Sequence, residues 1–274
     1  MGNVWLYKGT DVSDTSNYAS DPLGTTPTGA LPSAADNLYV TTPNTLNAGL
    51  TALAAIALTK FEVPASSVTQ VASGSSISVQ ATTLKYSGQG ALFSVTAATG
   101  ITTCLVATVG STFQLVAGTT TNLQVAAGQV IINGSAIVTN LYNFGGSVTA
   151  AYLATAFTLV EGSSGQLNTS RAMTTCNNSG SHLSILSGTA TATTVNLNGG
   201  QFNQRTAGTV TTVNARAGTL TPAGAVFDPV ITTLNLYGNN NTLSYISTVG
   251  GVAFNPGTTN NLGQVTAIVN NPVS

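Results

Sequence analysis

The chain has 274 residues, and only 5 % of them are charged, six Lys or Arg and seven Asp or Glu, against roughly 25 % in ordinary soluble domains. Apolar residues make up 42 % and the formal net charge is −1, which excludes disorder driven by charge and leaves no basic patch for nucleic-acid phosphates or an anionic membrane surface. We therefore expect neither nucleic acid nor a membrane among its partners.

The beginning of the chain differs in composition from the rest. Its first 36 residues hold the only Trp, Trp5, and four of the seven acidic residues: Asp11, Asp14, Asp21 and Asp36. The start lacks the basic and apolar regions of a secretory signal, and the most apolar stretch, residues 46–58, is too short for a spanning helix, which needs about 20 residues. We predict that residues 1–40 form an N-terminal cap, either as a docking surface or as a solvated end that blocks stacking of exposed strand edges.

A short phrase recurs along most of the chain: one or two Thr, or Thr-Asn, then an apolar residue, then a Gly a few residues later. The apolar marker stands at Leu84, Cys104, Leu123, Leu141, Leu159, Cys176, Val195, Val213 and Leu234. Eight steps lead from position 84 to position 234, a mean of about 19 residues. Thr and Val favour strands, and this length suits one coil of a solenoid with about three short strands.

These features predict an all-β fold, a single-stranded parallel β-helix of about 19 residues per coil with caps at both ends. The Leu pattern of leucine-rich repeats is absent, and the missing hexapeptide repeat of left-handed coils favours a right-handed one. We assign residues 41–250 to the coils and residues 251–274 to a C-terminal cap. Longer steps backward place Phe61 and Leu38 in the marker column.

Two side-chain columns follow from this register. The residue after the marker is Asn at positions 177, 196, 214 and 235, which predicts a ladder of amides hydrogen-bonded along the stack. Two residues after the marker, the column is polar at Asn143, Glu161 and Asn178. This indicates either a buried polar patch or a register slip. We favour the slip, because Val160 and Phe144 lie one residue away and an unpaired buried Glu161 would be costly.

Residues for acid–base chemistry are few. The single histidine, His182, follows a turn, and Glu161 about one coil away is among its nearest acids. Glycoside hydrolysis needs two carboxylates about 5 to 9.5 Å apart, whereas Glu62, Glu161 and Asp228 are several coils from one another. Asp36 and Glu62 are the closest candidates within the chain. We expect no catalytic residues and hence no enzyme.

The two cysteines occupy the marker column about four coils apart. At about 4.8 Å per coil this separation is too long for a disulfide, so we expect Cys104 and Cys176 to be free, buried thiols. No Cys or His cluster has metal-ligand spacing, and no Gly pair has the strand-to-helix context of a phosphate loop. We therefore expect no metal and no cofactor.

Three segments near the N-terminus resemble the opening of many β-helical proteins from tailed bacteriophages and of some autotransporter-like passengers, and the missing signal sequence and scarce charge favour the phage branch. The three segments are residues 4–9 (VWLYKG), residues 16–18 (SNY) and residues 31–40 (LPSAADNLYV). The match covers about forty residues, and Tyr18 stands where Trp is commoner. The resemblance implies a structural role in a virion, as a capsid decoration or cement protein, or as part of a fibre or spike.

On this basis we expect a non-enzymatic capsid decoration protein on the outside of a phage head, assembled in the host cytoplasm. Its expected partners are the major capsid protein or other virion subunits, together with further copies of itself in a homo-oligomer, which we expect to be a trimer. The candidate docking residues are Trp5, Tyr7, Lys8, Asp11, Asp14 and Tyr18. The alternatives are a tail spike or fibre that binds host surface glycan, and a bacterial surface adhesin or ice-binding-like β-helix.

Overall fold

A computed structural model describes residues 2–221 and 230–237 with their side chains, and the backbone of residue 222 and of five short strands beyond residue 242. The predicted C-terminal cap and Asp228 lie largely or wholly outside the described residues. The strands are β1 (Asn3–Leu6), β2 (Tyr18–Ala19), β3 (Asn37–Val40), β4 (Thr45–Leu46), β5 (Ala57–Val63), β6 (Gln70–Val71), β7 (Ile77–Tyr86), β8 (Leu92–Asn143), β9 (Ser147–Ala150), β10 (Phe157–Gly162), β11 (Gln166–Thr169), β12 (Met173–Asn178), β13 (Leu183–Gly188), β14 (Ala192–Thr206), β15 (Thr209–Pro222), β16 (Val230–Leu236), β17 (Leu243–Tyr245), β18 (Thr248–Val249), β19 (Val252–Ala253), β20 (Thr258–Asn261) and β21 (Ile268–Asn270).

The fold is a parallel β-solenoid of about ten turns with a repeat of roughly 19 residues, as the sequence predicts. Within the described part of the chain, the only helical element is a 3-10 turn over Thr15–Asn17. The coils divide into two compact units, residues 1–139 and residues 140–274. We describe each unit by itself.

In the first unit, the marker column begins close to the N-terminus. Strands β1, β3, β5, β7 and β8 pair in parallel and in sequence order. The pairs along this column are Val4 with Leu38, Leu38 with Phe61, Phe61 with Leu84, and Leu84 with Cys104. The predicted positions of Leu38 and Phe61 are therefore confirmed, and parallel stacking starts inside the segment that we assigned to the cap.

A short antiparallel strand covers the outer edge of the first unit. Strand β2 pairs with β1 on the side away from β3, with Leu6 opposite Tyr18. Tyr18 is fully buried, and its hydroxyl donates to the carbonyl oxygen of Val12 at 2.7 Å. This cover occupies the β1 backbone groups that would otherwise form an open sheet edge.

In the second unit, the described coils from β9 to β15 contribute two strands each rather than the three that we expected. One stack contains β10, β12, β14, β15 and β16, and the other contains β9, β11, β13 and the second halves of β14 and β15. Strands β14 and β15 pass from one stack to the other without leaving the β conformation. Corners with a glycine permit this: Gly218 has a φ of +98°, and an added Cβ would lie 2.5 Å from the Gly200 carbonyl oxygen.

The favoured register slip is confirmed at the coil of Glu161 and wrong at the coils of Asn143 and Asn178, where the alternative of a buried polar residue holds. Val160, not Leu159, pairs with Leu141 and Cys176 and is fully buried, so Glu161 points outward. Phe144, by contrast, is 49 % exposed, and Asn143 is the residue that lies in the core. The slip therefore moves Glu161 out of the core but leaves Asn143 inside it.

The buried asparagines offset the desolvation cost because their amides are hydrogen-bonded, mainly to backbone groups in Asn143 and also to the Ser184 hydroxyl in Asn178. Asn143 donates to the carbonyl oxygens of Gly146 and Gln166 at 3.0 Å each, and it accepts from the Gly146 N–H at 2.9 Å. Asn178 is also fully buried and donates to the Gln201 carbonyl oxygen at 2.8 Å. Each amide thus replaces backbone partners at a turn between the two strand stacks.

The predicted asparagine ladder is confirmed on all four coils. Asn235 donates to Asn214, Asn214 donates to Asn196, and Asn196 donates to Asn177, each at 2.8 Å. The Asn177 amide in turn donates to Oε1 of Glu161 at 3.4 Å. Every amide donates toward the same end of the stack, so the hydrogen bonds of the ladder all run in one direction. The ladder ends there on the Glu161 carboxylate.

One basic side chain lies inside the second unit. Arg171 is fully buried, its guanidinium carbon lies 5.0 Å from the Phe157 ring centre, and Nη2 donates to the Ala151 carbonyl oxygen at 3.3 Å. Burial lowers the pKa of Arg171 to about 10. Arg171 therefore contributes to the core packing rather than to the surface charge.

Candidate functional site

The structure places the six predicted docking residues in different environments. Trp5 and Tyr7 are half-buried, Lys8 and Asp14 are exposed, and Tyr18 lies in the core. Lys8 Nζ lies 5.4 Å from the Tyr7 ring centre, so these two side chains form one contact on the surface. Tyr18 supports the segment from inside and is not available to a partner.

Asp11 and Asp14 shape the loop that follows β1. Asp11 accepts hydrogen bonds from the hydroxyl and the backbone N–H of Ser13, and these bonds lower the pKa of its carboxyl. Asp14 accepts from the Ser16 N–H at 2.9 Å and caps the 3-10 turn. Both carboxylates therefore have local structural roles.

An outward column of the first unit brings Trp5 together with residues that the sequence reasoning did not select. The Trp5 ring stacks on Tyr39 at 5.2 Å with an interplanar angle of 17°, and Lys60 Nζ lies 5.1 Å from the Tyr39 ring centre. A signal was present: residues 3–6 (NVWL) and 37–40 (NLYV) share an Asn–apolar–aromatic–apolar pattern, and the Asn37 amide donates to Asn3 at 3.0 Å.

The same column continues into an ion-paired cluster. Glu62 Oε2 lies 2.5 Å from Lys60 Nζ, and Glu62 Oε1 lies 3.0 Å from Lys85 Nζ. Burial raises the pKa of Glu62, but the hydrogen bonds and charges of the two lysines outweigh it and hold the pKa below its usual value. Glu62 is thus a carboxylate paired with two lysines. Asp36, which we expected near Glu62, accepts hydrogen bonds from the Gly2 and Ser33 N–H groups instead.

Among the described residues, His182 makes no hydrogen bond to a serine hydroxyl or a carboxylate. Its side chain is fully buried, and Nδ1 lies 2.9 Å from the carbonyl oxygen of Ser164. The ring packs directly over Gly162, where an added Cβ would lie 2.1 Å from Cδ2. Nε2 is buried and has no hydrogen-bond partner within the described part of the chain. Burial lowers the pKa of His182, so the imidazole is neutral.

The second unit carries a surface groove of about 540 Å³, which we call the axial groove because residues from five successive coils line it. One side consists of Glu161, Asn177 and Asn196, the end of the asparagine ladder. The other side begins at Phe144, passes two serines, and ends at Asn198 and Arg216. The volume falls within the range of ligand-binding clefts, roughly 300–1,000 Å³.

Arg216 is held at one end of the axial groove. Its Nη1 donates to Asn198 Oδ1 at 3.4 Å, and its guanidinium carbon lies 4.5 Å from the Tyr237 ring centre. Glu161 lies three coils away, about 14 Å along the stack at strand spacing. The groove therefore has a cation near one end, a carboxylate toward the other and amides between them.

Comparisons with protein-family models, with curated proteins and with solved structures gave no match. Within the described residues, no three His, Cys, Asp or Glu side chains come together in a way that would hold a metal ion. The same part of the chain contains no helix with the length and apolar character needed to cross a membrane.

Proposed function

We propose that the chain is a non-enzymatic structural protein of a phage-type virion, a decoration or cement protein on the outside of the head. The observation that carries the proposal is the outward Thr–Asn face of the second unit. Its members are Thr175, Thr194, Thr212 and Thr233, which pair in register, and the four ladder residues Asn177, Asn196, Asn214 and Asn235.

This face suits permanent packing against other subunits. Docking a side chain costs more entropy for Lys or Glu than for short polar residues, and the ladder already holds each Asn in one position through bonds of 2.8 Å. A surface ordered in advance loses less free energy on association. The face also carries no charge of its own, so no ion needs to be desolvated in the contact.

The N-terminal segment supports the same proposal as a second contact region. Trp5, Tyr7 and Lys8 present aromatic and cationic groups on the first coil, where Trp5 is already stacked on Tyr39. Aromatic side chains are enriched in protein interfaces because they bury a large area with few rotatable bonds. We assign this end to docking on the major capsid protein or another virion subunit.

The non-enzymatic part of the proposal follows from how the carboxylates are used. Glu161 is the one acidic residue among the described residues that line the axial groove, and Glu62 is bound by two lysines. Glycoside hydrolysis requires a pair of carboxylates on either side of the bond to be cleaved. Neither arrangement supplies that pair.

Virion fractionation with mass spectrometry tests the proposal directly. We expect the chain in purified heads, in numbers comparable with the major capsid protein, and we expect a trimer when the isolated protein is measured by native mass spectrometry. A few copies confined to tails would contradict the decoration role and favour a spike or fibre. Recovery only from a cell-surface fraction would contradict both and favour an adhesin.

A further inference from the structure

We propose that the axial groove is a binding site for a neutral oligosaccharide. This inference goes beyond the proposed assembly role. The groove shares Asn177 and Asn196 with the Thr–Asn face, so a saccharide and a packed subunit compete for these two amides. The hydrogen-bonding capacity, the charge and the shape of the groove indicate the class of ligand.

Within the described part of the chain, the amides of the groove keep hydrogen-bonding groups that the ladder does not use. A carboxamide has two N–H donors and an oxygen with two lone pairs, and the ladder uses one donor and one acceptor site of Asn177 and of Asn196. Glu161 accepts the ladder bond on Oε1, which leaves its Oε2 for another donor. Sugar hydroxyls donate and accept at once, so they match a row of groups that offers both.

The charges of the groove favour a neutral ligand. Glu161 contributes one negative charge and Arg216 one positive charge, about 14 Å apart along the stack. An anionic ligand would be repelled by Glu161, which has no cation close to it among the described residues of the groove, and a cationic ligand would be repelled by Arg216. A polyhydroxyl ligand can donate to the carboxylate at one end and accept from the guanidinium at the other without either penalty.

The shape of the groove favours an extended chain with one apolar face. Phe144, which is 49 % exposed, provides an aromatic surface at the end near Glu161, where the C–H face of a sugar ring can pack. The groove runs across five coils, and its polar groups repeat at strand spacing, about 4.8 Å. Linear hexose polymers advance by a similar distance per unit.

An extended peptide fits the groove less well. Peptides bind such folds by adding a strand to an open sheet edge or by placing alternate side chains in pockets. The backbone of β10, β12 and β14 is already paired on both sides, and the groove offers one aromatic residue among amides, hydroxyls and two charges. The side-chain groups rather than the backbone therefore determine the ligand class.

Isothermal titration of the full chain with maltohexaose, cellohexaose and chitohexaose tests the inference. We expect at least one of these probes to bind with a Kd of about 1 mM or tighter. We expect Phe144→Ala and Asn198→Ala to weaken that binding at least about tenfold. Both side chains are exposed, so the variants should keep the wild-type circular dichroism spectrum.

The matched control is Asn168→Ala, which removes an exposed amide of β11 outside the groove and should leave the Kd unchanged. Failure of all three probes to bind at that affinity would overturn the inference. Equal weakening by the control and the groove variants would also overturn it, as would hexaglycine binding in the groove more tightly than every saccharide.

Discussion

At the scale of single residues, His182 and Gly162 illustrate how closely the coils of the second unit pack. The imidazole fills the space that a side chain at position 162 would occupy, and Nδ1 is bonded to the Ser164 carbonyl oxygen. The neutral ring therefore provides a hydrogen bond to the Ser164 carbonyl oxygen. Its protonated form would bury a charge there, which is strongly unfavourable.

We predict that the free energy of unfolding decreases as the pH falls through 6.5. Burial lowers the pKa of His182 in the folded state, so between that pKa and the unfolded value near 6.5 the unfolded chain binds more protons. The neutral ring makes its full contribution to the free energy of unfolding above pH 6.5. This contribution is lost as the pH falls from 6.5 toward the lowered pKa of the folded state. Urea denaturation at pH 7.5 and 5.5 measures the difference.

The histidine is the only one in the chain, so His182→Gln provides a clean control. The variant should be less stable at pH 7.5 but show a flatter dependence on pH between the two values. An unchanged pH dependence in the variant would show that another group is responsible.

We predict that Gly162→Ala destabilises the fold by about 3 kcal/mol, because the new methyl group overlaps the His182 ring. Gly29→Ala is the control: an added Cβ there meets nothing within 4 Å, so only the strain of its positive φ remains, about 1 kcal/mol. In a double-mutant cycle measured by denaturation, His182→Ala should recover part of the loss caused by Gly162→Ala. Additive effects would contradict the contact.

At the scale of structural elements, the strands of the second unit are joined by two kinds of asparagine. The outward ladder links neighbouring coils through side chains alone, whereas the buried Asn143 and Asn178 bind the backbone of the turns. The ladder therefore reinforces pairing that the strands already make. The buried amides satisfy groups at places where the strand pairing is interrupted.

We predict that Asn196→Ala lowers the free energy of unfolding by about 2 kcal/mol. The substitution removes two ladder bonds of 2.8 Å, each contributing roughly 1 kcal/mol. Asn168→Ala removes an exposed amide that makes no bond in the ladder, and it should stay within about 0.5 kcal/mol of wild type. Equal stability of the two variants in denaturant titrations would show that the ladder adds nothing to strand pairing.

At the scale of the whole molecule, each compact unit contains one cysteine in its core. Cys104 lies in the first unit and Cys176 in the second; both are fully buried and free, as predicted. Burial raises the pKa of both thiols, that of Cys176 to about 12. Each thiol thus reports on the opening of its own unit.

We predict that neither cysteine reacts with a thiol reagent at pH 8 in the native protein, and that both react in denaturant. Reactivity requires the thiolate and access, and burial removes both. Cys104→Ala and Cys176→Ala leave one reporter each, so the rate of labelling gives the opening of each unit separately. Rapid labelling of either thiol under native conditions would contradict the buried position.

The coil repeat, the asparagine ladder and the inward marker column except at Leu159 could be predicted from the sequence. These features are visible because stacking places equivalent residues of successive coils against each other, so the same side-chain requirement recurs at each turn. The free, buried state of both cysteines follows from the same column. The scarcity of charge is also explained there, because like charges on neighbouring coils would repel.

Which residues turn inward where the coil length changes is set by the three-dimensional arrangement of the turns. The marker moves from Leu141 to Val160 and then to Cys176, steps of 19 and 16 residues, because the number of residues in the turns differs. That number sets which face each later side chain occupies. This turn length brings Phe144 and Arg216 to the axial groove and leaves Asn143 in the core. The sequence does not show how many residues each turn contains, so these placements could not be predicted from it.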